Sequence, residues 1–232
     1  MHSVPEPAAE TTKSRLVSAA FALFAERGFD GTTTDDIAQR AGVGRTTFFR
    51  TFRTKEDVIF PAHEDLLERI GARLAVATPR TRDVALTEAA GIVLRHYLAE
   101  GELARARYRL VSSVPVLRAR EVAGIQQYQR LFAASLTDWM AGEPDGELRA
   151  GLVAAAVVTA HNYVLRRWLR GETDTPEADF ERSMEVALRQ FRESPVGGEE
   201  TAVVVLRTTA GLEDVVTRLR PLLEHRDEAT ER

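Results

Sequence analysis

The chain has 232 residues, no cysteine and a formal net charge of −4 at neutral pH, and 44% of its residues are hydrophobic. This length accommodates a small domain beside a larger core, and the lack of cysteine excludes disulfides, thiolate metal sites and a cysteine nucleophile. No apolar run approaches the roughly 20 residues that span a bilayer, and the N-terminal segment has no apolar region of the secretory type. We therefore expect a cytoplasmic protein with no membrane segment.

The N-terminal residues 1–11 contain two prolines and no hydrophobic periodicity, so we expect a disordered arm there. The first helix is predicted over Thr12–Arg27, because its apolar residues recur at helical spacing and Gly28 follows its end.

A short second helix is predicted over Asp35–Arg40. Thr33 or Thr34 is placed to cap its first turn, and Asp36 could complete a capping box with Thr33. The next four residues, Ala-Gly-Val-Gly, predict a tight turn whose first glycine takes the left-handed conformation that ends a helix.

A third short helix is predicted over Arg45–Phe52. Phe48 and Phe52 are four residues apart and would bury one of its faces. The opposite face would then present Arg45, Thr46, Phe49 and Arg50 to solvent.

The two short helices are locally cationic. From Ile37 to Lys55 there are five Lys or Arg and no Asp or Glu, although the whole chain is acidic. Such a segment suggests a polyanionic partner, and a helix-turn-helix places the start of its second helix against bases in the major groove of DNA. Double-stranded DNA is therefore the predicted partner. The alternative is an ordinary solvated face of an amphipathic helix pair.

The N-terminal part of the chain, which includes this segment, resembles the N-terminal domain of the tetracycline-repressor (TetR) family of bacterial transcriptional regulators. The resemblance covers about the first third of the chain and has a highly specific combined motif. The matching residues are Ala19-Ala20, Phe24, Glu26, Gly28, Phe29, Thr33-Thr34, Ile37-Ala38, Ala41-Gly42-Val43, Phe48-Phe49, Phe52 and Lys55-Glu56.

The resemblance implies an all-α fold with an N-terminal three-helix helix-turn-helix domain at 12–60, its motif at about 33–52. A helical effector-binding and dimerisation domain would follow at 61–194, and residues 195–232 would form an extension of uncertain role. The implied function is a homodimeric repressor that a small-molecule effector releases from a pseudo-palindromic operator, with no cofactor or metal and no catalytic activity.

The resemblance also implies contacts with DNA, namely phosphate contacts from Thr33 or Thr34 and from Lys55, and base or groove contacts from Arg45 to Thr47. Gly44 replaces the usual serine, which removes a side-chain cap. Phe49 lacks the hydroxyl of the usual tyrosine, and Arg50 could restore that phosphate contact as a charged one. The predicted DNA-binding residues are Thr33, Thr34, Gly44, Arg45, Thr46, Thr47, Phe49, Arg50, Thr51 and Lys55.

A fourth helix is predicted from about Lys55 to Ala77, linking the DNA-reading part to the rest of the chain. Pro61 should kink or break it. We expect this segment to act as the lever between an effector pocket and the DNA-reading part.

Five further helices are predicted in the second domain, because Gly and Pro residues punctuate segments of helical periodicity. They span Arg82–Glu100, Leu103–Ser113, Val116–Met140, Glu147–Leu169 and Glu177–Arg192.

The segment Leu148–Leu169 is apolar nearly all round, which indicates burial on several sides. We expect it to form a four-helix dimer interface with the helix at 177–192 and their symmetry mates. The alternative is burial within one subunit. The predicted interface residues are Ala154, Ala155, Ala156 and Ala160.

The C-terminal segment differs from the rest. Residues 201–209 are rich in valine and read as a strand, although a helix is also possible, and residues 211–226 read as a short amphipathic helix. The strand could pair with its dimer mate, pack on the body or stay loose.

No catalytic motif is present, and the five histidines are scattered. His161 and Asn162 are the most conspicuous polar residues in the predicted core, and they could line an effector pocket or be satisfied core residues. Among Arg105, Arg107 and Arg109, at least one should face solvent, and any at the pocket mouth would favour an anionic effector such as an acyl-CoA. The predicted pocket residues are Tyr97, Tyr108, Tyr128, Trp139, His161, Asn162 and Trp168.

Two other functions stay open at this stage. One is a helical ligand-binding module or enzyme without specific DNA recognition, which the basic helix argues against. The other is an architectural DNA-binding protein, which would discriminate little between one sequence and another.

Overall fold

A computed structural model of the chain describes residues 11–60, 63–78, 80–189 and 191. All regular secondary structure within these residues is helical, as predicted. The expected arm, apart from residue 11, and the expected strand and helix at 201–226 lie outside the described residues.

The N-terminal part, here called the head, contains three α-helices and one 3-10 turn around a small apolar core. Among the side chains of this core, Leu16, Ile37 and Phe48 are fully buried. The elements are α1 (Thr12–Arg27), α2 (Thr34–Arg40), α3 (Arg45–Thr51) and the 3-10 turn Glu56–Ile59.

Local capping sets the boundaries of the first two helices. The Thr11 side chain accepts a hydrogen bond from the backbone N–H of Ser14. Thr33 and Asp36 form the predicted capping box, which satisfies two backbone N–H groups that the helix leaves unpaired. These caps explain why the helices start where the sequence predicts.

The turn between α2 and α3 has the predicted glycine conformation, with Gly42 at φ 65°. The Arg15 guanidinium of α1 donates to the carbonyl oxygen of Ala41 and, at 3.4 Å, to that of Gly42. A Cβ atom on Gly42 would lie 2.9 Å from that guanidinium. Both the backbone conformation and the close approach of Arg15 therefore favour glycine here.

The predicted fourth helix is broken into two pieces. The 3-10 turn ends at Ile59, Phe60 has the non-helical angles φ −123° and ψ 58°, and α4 spans His63–Ala75. Pro61 explains the break, because proline lacks a backbone N–H and disfavours a helical conformation in the residue before it.

The second part, here called the body, consists of α4 and five further helices. Its core is a single apolar cluster to which α4, α5, α7, α8 and α9 contribute buried side chains. The first residues of the five further helices agree with the predicted ones within one residue. The last helix, α9, ends three residues before the predicted Arg192. The helices are α5 (Arg82–Glu100), α6 (Glu102–Ser113), α7 (Pro115–Trp139), α8 (Gly146–Leu169) and α9 (Pro176–Arg189).

Helix α8 lies at the centre of the body. By length and composition alone it could cross a membrane, and half of its apolar stretch is buried within the structure. The prediction of an alanine interface needs correction, because Ala154 is 0% and Ala160 8% exposed inside the subunit core. Ala155 and Ala156 are half-buried, and Ala156 packs against the same core.

Contacts between the head and the body run through α6 and the start of α7. Val111 and Leu117 are buried in the same apolar cluster as the head core. Asp57 in the 3-10 turn forms an ion pair with Arg120 of α7. A displacement of α6 or α7 would therefore be transmitted directly to the packing of the head.

Candidate nucleic-acid interface and effector cavity

The exposed surface of the head centres on one face of α3. Phe48 is fully buried beneath it, and Arg45, Thr46, Phe49 and Arg50 are exposed as the sequence predicts. Gly44 at the N-terminus of α3 provides no side-chain cap. The first turn of this helix is therefore open to a ligand on its outer side.

Arg45 has a neighbour that the sequence did not reveal. Its guanidinium lies 2.5 and 2.6 Å from the two carboxylate oxygens of Asp35 on α2, and 5.1 Å from the centre of the Phe49 ring. Both charged side chains are more than half exposed. Because exposed ion pairs contribute little free energy, this contact orients Arg45 without preventing an exchange of Asp35 for another acceptor.

Two cationic side chains of the head have no partner among the described residues. Within the part of the chain that the structure describes, the side chains of Arg50 and Arg53 form no hydrogen bond or ion pair, and both are exposed. Arg53 was absent from the predicted site. The signal for Arg53 in the sequence was the segment from Ile37 to Lys55, which contains basic residues and no acidic ones.

The predicted threonines have mixed surroundings. The Thr33 hydroxyl accepts from the Asp36 backbone N–H and donates to the Asp36 carboxylate, at 3.1 and 2.6 Å. Hydrogen bonds to the Asp36 carboxylate, first from the Thr33 hydroxyl and then from the Thr33 backbone N–H, lower the pKa of Asp36. The Thr51 hydroxyl donates to the carbonyl oxygen of Thr47 at 3.0 Å. Thr33 and Thr51 thus already serve the helix termini, whereas Thr34 is half-buried and Thr46 exposed.

Lys55 is held by the loop that precedes α2. Its ammonium group donates to the carbonyl oxygens of Phe29 at 2.6 Å and Thr32 at 2.8 Å, and lies 4.1 Å from the centre of the Phe29 ring. Two of its three N–H groups are therefore engaged inside the head. A phosphate contact by Lys55 stays a prediction, and the structure adds a role in joining the 3-10 turn to this loop.

A cavity of about 860 Å³ lies in the body among α4, α5, α7 and α8, and its lining extends to the head. Of the predicted pocket residues, Tyr97, Tyr128, His161 and Asn162 line it. Tyr108 lines a smaller adjoining cavity of about 30 Å³.

The two tryptophans do not line either cavity, which corrects the prediction for them. Trp139 is half-buried against the body core, and its carbonyl oxygen accepts a hydrogen bond from Arg82. Trp168 is buried in the core, and the Arg105 guanidinium lies 4.8 Å from the centre of its ring. Both are packing residues. The prediction for them was wrong because helical periodicity does not show how deep in the core a side chain lies.

A buried ion pair lies at the wall of the main cavity. The Arg107 guanidinium bonds both carboxylate oxygens of Glu100, and the two side chains are 4% and 15% exposed. Arg107 also lies 5.5 Å from the Tyr97 ring and 5.9 Å from the Phe21 ring of α1. Of the three arginines of α6, Arg109 is exposed, as at least one was predicted to be.

His161 is a neutral polar residue in an apolar environment. Its Nδ1 lies 3.3 Å from the Asn162 side-chain oxygen, and its buried Nε2 has no hydrogen-bond partner in the described part of the chain. Burial lowers the pKa of His161 to about 4, against the opposing effect of Asn162. The ring is therefore uncharged near neutral pH.

Another of the three histidines of the wall, His63, belongs to a hydrogen-bonded group on α4 and α7. Its Nδ1 lies 3.0 Å from the Tyr128 hydroxyl, and its Nε2 contacts Gln127. Within the described ranges, no group of three or more His, Asp or Glu side chains could hold a metal ion.

Comparisons with known proteins agree with this geometry. Residues 16–62 match the family model for bacterial regulatory proteins of the tetR family, and residues 83–194 match the model of the MftR C-terminal domain. The chain belongs to the TetR family. It is a DNA-binding transcriptional regulator of that family, with a head that carries the helix-turn-helix and a helical body.

Similar proteins include regulators from several bacteria. The transcriptional regulator TcmR of Streptomyces glaucescens is 26% identical over 181 residues, which cover 70% of this chain and 76% of TcmR. The solved structure of SmeT, the repressor of the Stenotrophomonas maltophilia multidrug efflux pump SmeDEF, superposes with a TM-score of 0.52 at 18% identity, covering 85% of this chain and 98% of SmeT. A TetR-family regulator from Streptomyces coelicolor gives a TM-score of 0.51 at 21% identity, covering 81% and 96%. These structures share its fold.

Proposed function

We propose that this TetR-family protein acts in the cytoplasm as a homodimeric repressor, which binds a pseudo-palindromic operator through α3 and leaves it when an effector occupies the body cavity. The observation that supports this most is the exposed surface formed by α3 and the residues just after it, where Arg50 and Arg53 lack partners among the described residues. Exposed cations of this kind can neutralise DNA phosphates and release counterions. Two heads would read half-sites roughly 34–36 Å apart.

The proposed dimer surface lies on the outer faces of α8 and α9. Leu148, Leu152 and Tyr163 are spaced along one side of α8 and are 64%, 50% and 57% exposed, and Val186 on α9 is 51% exposed. Such large apolar side chains, exposed together on neighbouring helices, favour burial against a second copy. This surface excludes the buried Ala154 and Ala160 from the predicted alanine face, while Ala155 and Ala156 stay predictions.

Leu152→Glu tests the dimer, because it places a charge in the middle of the proposed surface. Sedimentation should show monomers for this variant and dimers for the unaltered protein. Val122→Glu on α7 is the matched control, since Val122 is also exposed, at 47%, but on another helix. Dimers in both variants would place the interface elsewhere.

Arg107 is the proposed link between cavity and head. It lines the cavity, bonds the end of α5 through Glu100, and approaches Phe21 of α1. A ligand that moves Tyr97 or Arg107 would shift α6 against the head. Because each ligand shifts the equilibrium only by its differential affinity for the two states, effector and operator must weaken each other's binding reciprocally.

The decisive experiment is selection of bound sequences from random duplex DNA by the full chain. We expect one enriched pseudo-palindrome, bound about 10³–10⁷ times more tightly than random duplex. Binding without enrichment would favour an architectural protein, and no binding would favour a ligand-binding module without DNA recognition.

A further inference from the structure

A half-buried acidic side chain of the cavity wall, Glu121, has no partner among the described residues. Glu121 on α7 is half-buried and lines both the main cavity and the small adjoining one. No described residue forms a hydrogen bond or an ion pair with its carboxylate. A half-buried carboxylate in this state is costly unless another group satisfies it.

The neighbouring cations do not fill this role. Arg107 directs both terminal nitrogens to Glu100, and the Arg118 guanidinium donates to the carbonyl oxygen of Ser112. Arg166 on α8 lines the small cavity but forms no ion pair with Glu121. Burial raises the pKa of Glu121 against the weaker opposing effects of Arg166 and Arg118. None of the described residues therefore serves as a hydrogen-bonded or ion-paired partner of this carboxylate.

The rest of the lining suits an apolar molecule that carries one positive charge. Tyr97, Tyr128 and Phe132 provide aromatic walls to the same cavity, and aromatic faces attract organic cations as well as apolar surface. The other deep ionisable groups contribute no net charge, because Arg107 is paired with Glu100 and His161 is neutral. Among the described lining residues that are buried or half-buried, Glu121 is therefore the charged one without an ion pair, whereas the unpaired Arg53 and Glu64 of the same lining are exposed.

We propose that this cavity binds an organic cation, namely an aromatic or alicyclic amine whose ammonium group pairs with Glu121 while its apolar part lies between the tyrosine rings. This inference rests on the proposed function, since it names the chemical class of the effector. It differs from the anionic, acyl-CoA-like effector expected from sequence, which would bring a second negative charge toward Glu121.

Three probes that share one ring system test the proposal by isothermal titration calorimetry on the full chain. They are 1-naphthylmethylamine, 1-naphthalenemethanol and 1-naphthoic acid, which are a cation, a neutral molecule and an anion at neutral pH. The amine should bind roughly 10–100 times more tightly than the alcohol, because its ammonium group adds a charge-assisted hydrogen bond to the binding free energy. The acid should bind most weakly.

The variant Glu121→Gln should bring the affinity of the amine to that of the alcohol and leave the alcohol unaffected. Glu68→Gln is the matched control, because Glu68 is exposed on α4 and does not line the cavity, and it should retain the preference for the amine. The relative affinities of the three probes for the unaltered protein test the proposal without any variant. The proposal can therefore be refuted even if the Glu121→Gln protein misfolds. Tighter binding of the acid, no binding of the amine at millimolar concentration, or an unchanged preference in Glu121→Gln would overturn it.

The same samples separate this inference from the proposed function. Binding of the amine through Glu121 with no loss of operator affinity would contradict effector-driven release and leave the cation site intact. Release of the operator by the acid alone would support effector-driven release and contradict the proposal that the effector is a cation.

Discussion

Replacing Lys55 by methionine separates a structural role of this residue from a phosphate contact. Methionine keeps the apolar stem and removes the ammonium group, which donates to two carbonyl oxygens at 2.6 and 2.8 Å. A hydrogen bond from a charged donor contributes about 1.5–3 kcal/mol when well shielded. Because Lys55 is only half-buried, we expect a loss of about 2–3 kcal/mol for both together, which is a substantial share of the roughly 5–15 kcal/mol of a typical domain.

Urea unfolding followed by circular dichroism measures this loss, and operator binding at several salt concentrations measures the phosphate contacts. If Lys55 is structural, the free energy of unfolding falls and the salt slope stays the same. A phosphate contact alone would leave stability within about 0.5 kcal/mol and lower the slope by about 0.9, and that outcome would refute the structural reasoning. Arg53→Gln is the control, since its exposed side chain has no partner among the described residues and should change only the slope.

Three further predictions concern the operator contact, the buried ion pair and acid stability. Arg45→Ala should relax sequence preference at one base pair per half-site by about 1–3 kcal/mol; an unchanged preference in a selection from random DNA would contradict the assignment. Glu100→Gln should destabilise the protein by about 3–5 kcal/mol, because it leaves Arg107 buried without its carboxylate; urea unfolding that matches the unaltered protein would show that the pair is dispensable. His161→Gln should flatten the loss of stability on acidification. Between pH 6.5 and about 4 the unfolded chain binds a proton at this position that the folded chain does not, so unfolding becomes easier by about 1.4 kcal/mol per pH unit. Parallel stability curves for the two proteins over that range would exclude His161 as the cause.

The head was largely predictable because its signals are local. The capping box of Thr33 and Asp36, the left-handed Gly42 and the buried pair Phe48 and Phe52 each depend on residues within four positions of one another. The break before Pro61 is also local, since proline acts on its own backbone and on the residue before it. Periodicity and caps are enough to identify such elements, and the TetR resemblance could be read from the same segment.

The body shows where such signals end. Helix α8 is apolar nearly all round, so its periodicity could not distinguish the buried Ala154 and Ala160 from the exposed Leu148 and Leu152. Which side of α8 faces the core depends on the neighbouring helices that cover it. The same limit explains why Trp168 was expected at the pocket and lies in the core.

The sequence by itself determined the helical class, the order of the helices and the residues on the outer face of α3, because these follow from spacing within one helix. The tertiary structure decided the partners of Lys55 and Arg107, and it left Glu121 without a partner among the described residues. Lys55 bonds carbonyls 23 and 26 residues away, and Arg107 reaches Glu100 across the turn at Gly101. These groups come together only when several elements of the chain pack against one another. Whether each charge is paired or unpaired is therefore a property of the packed protein and not of any one helix.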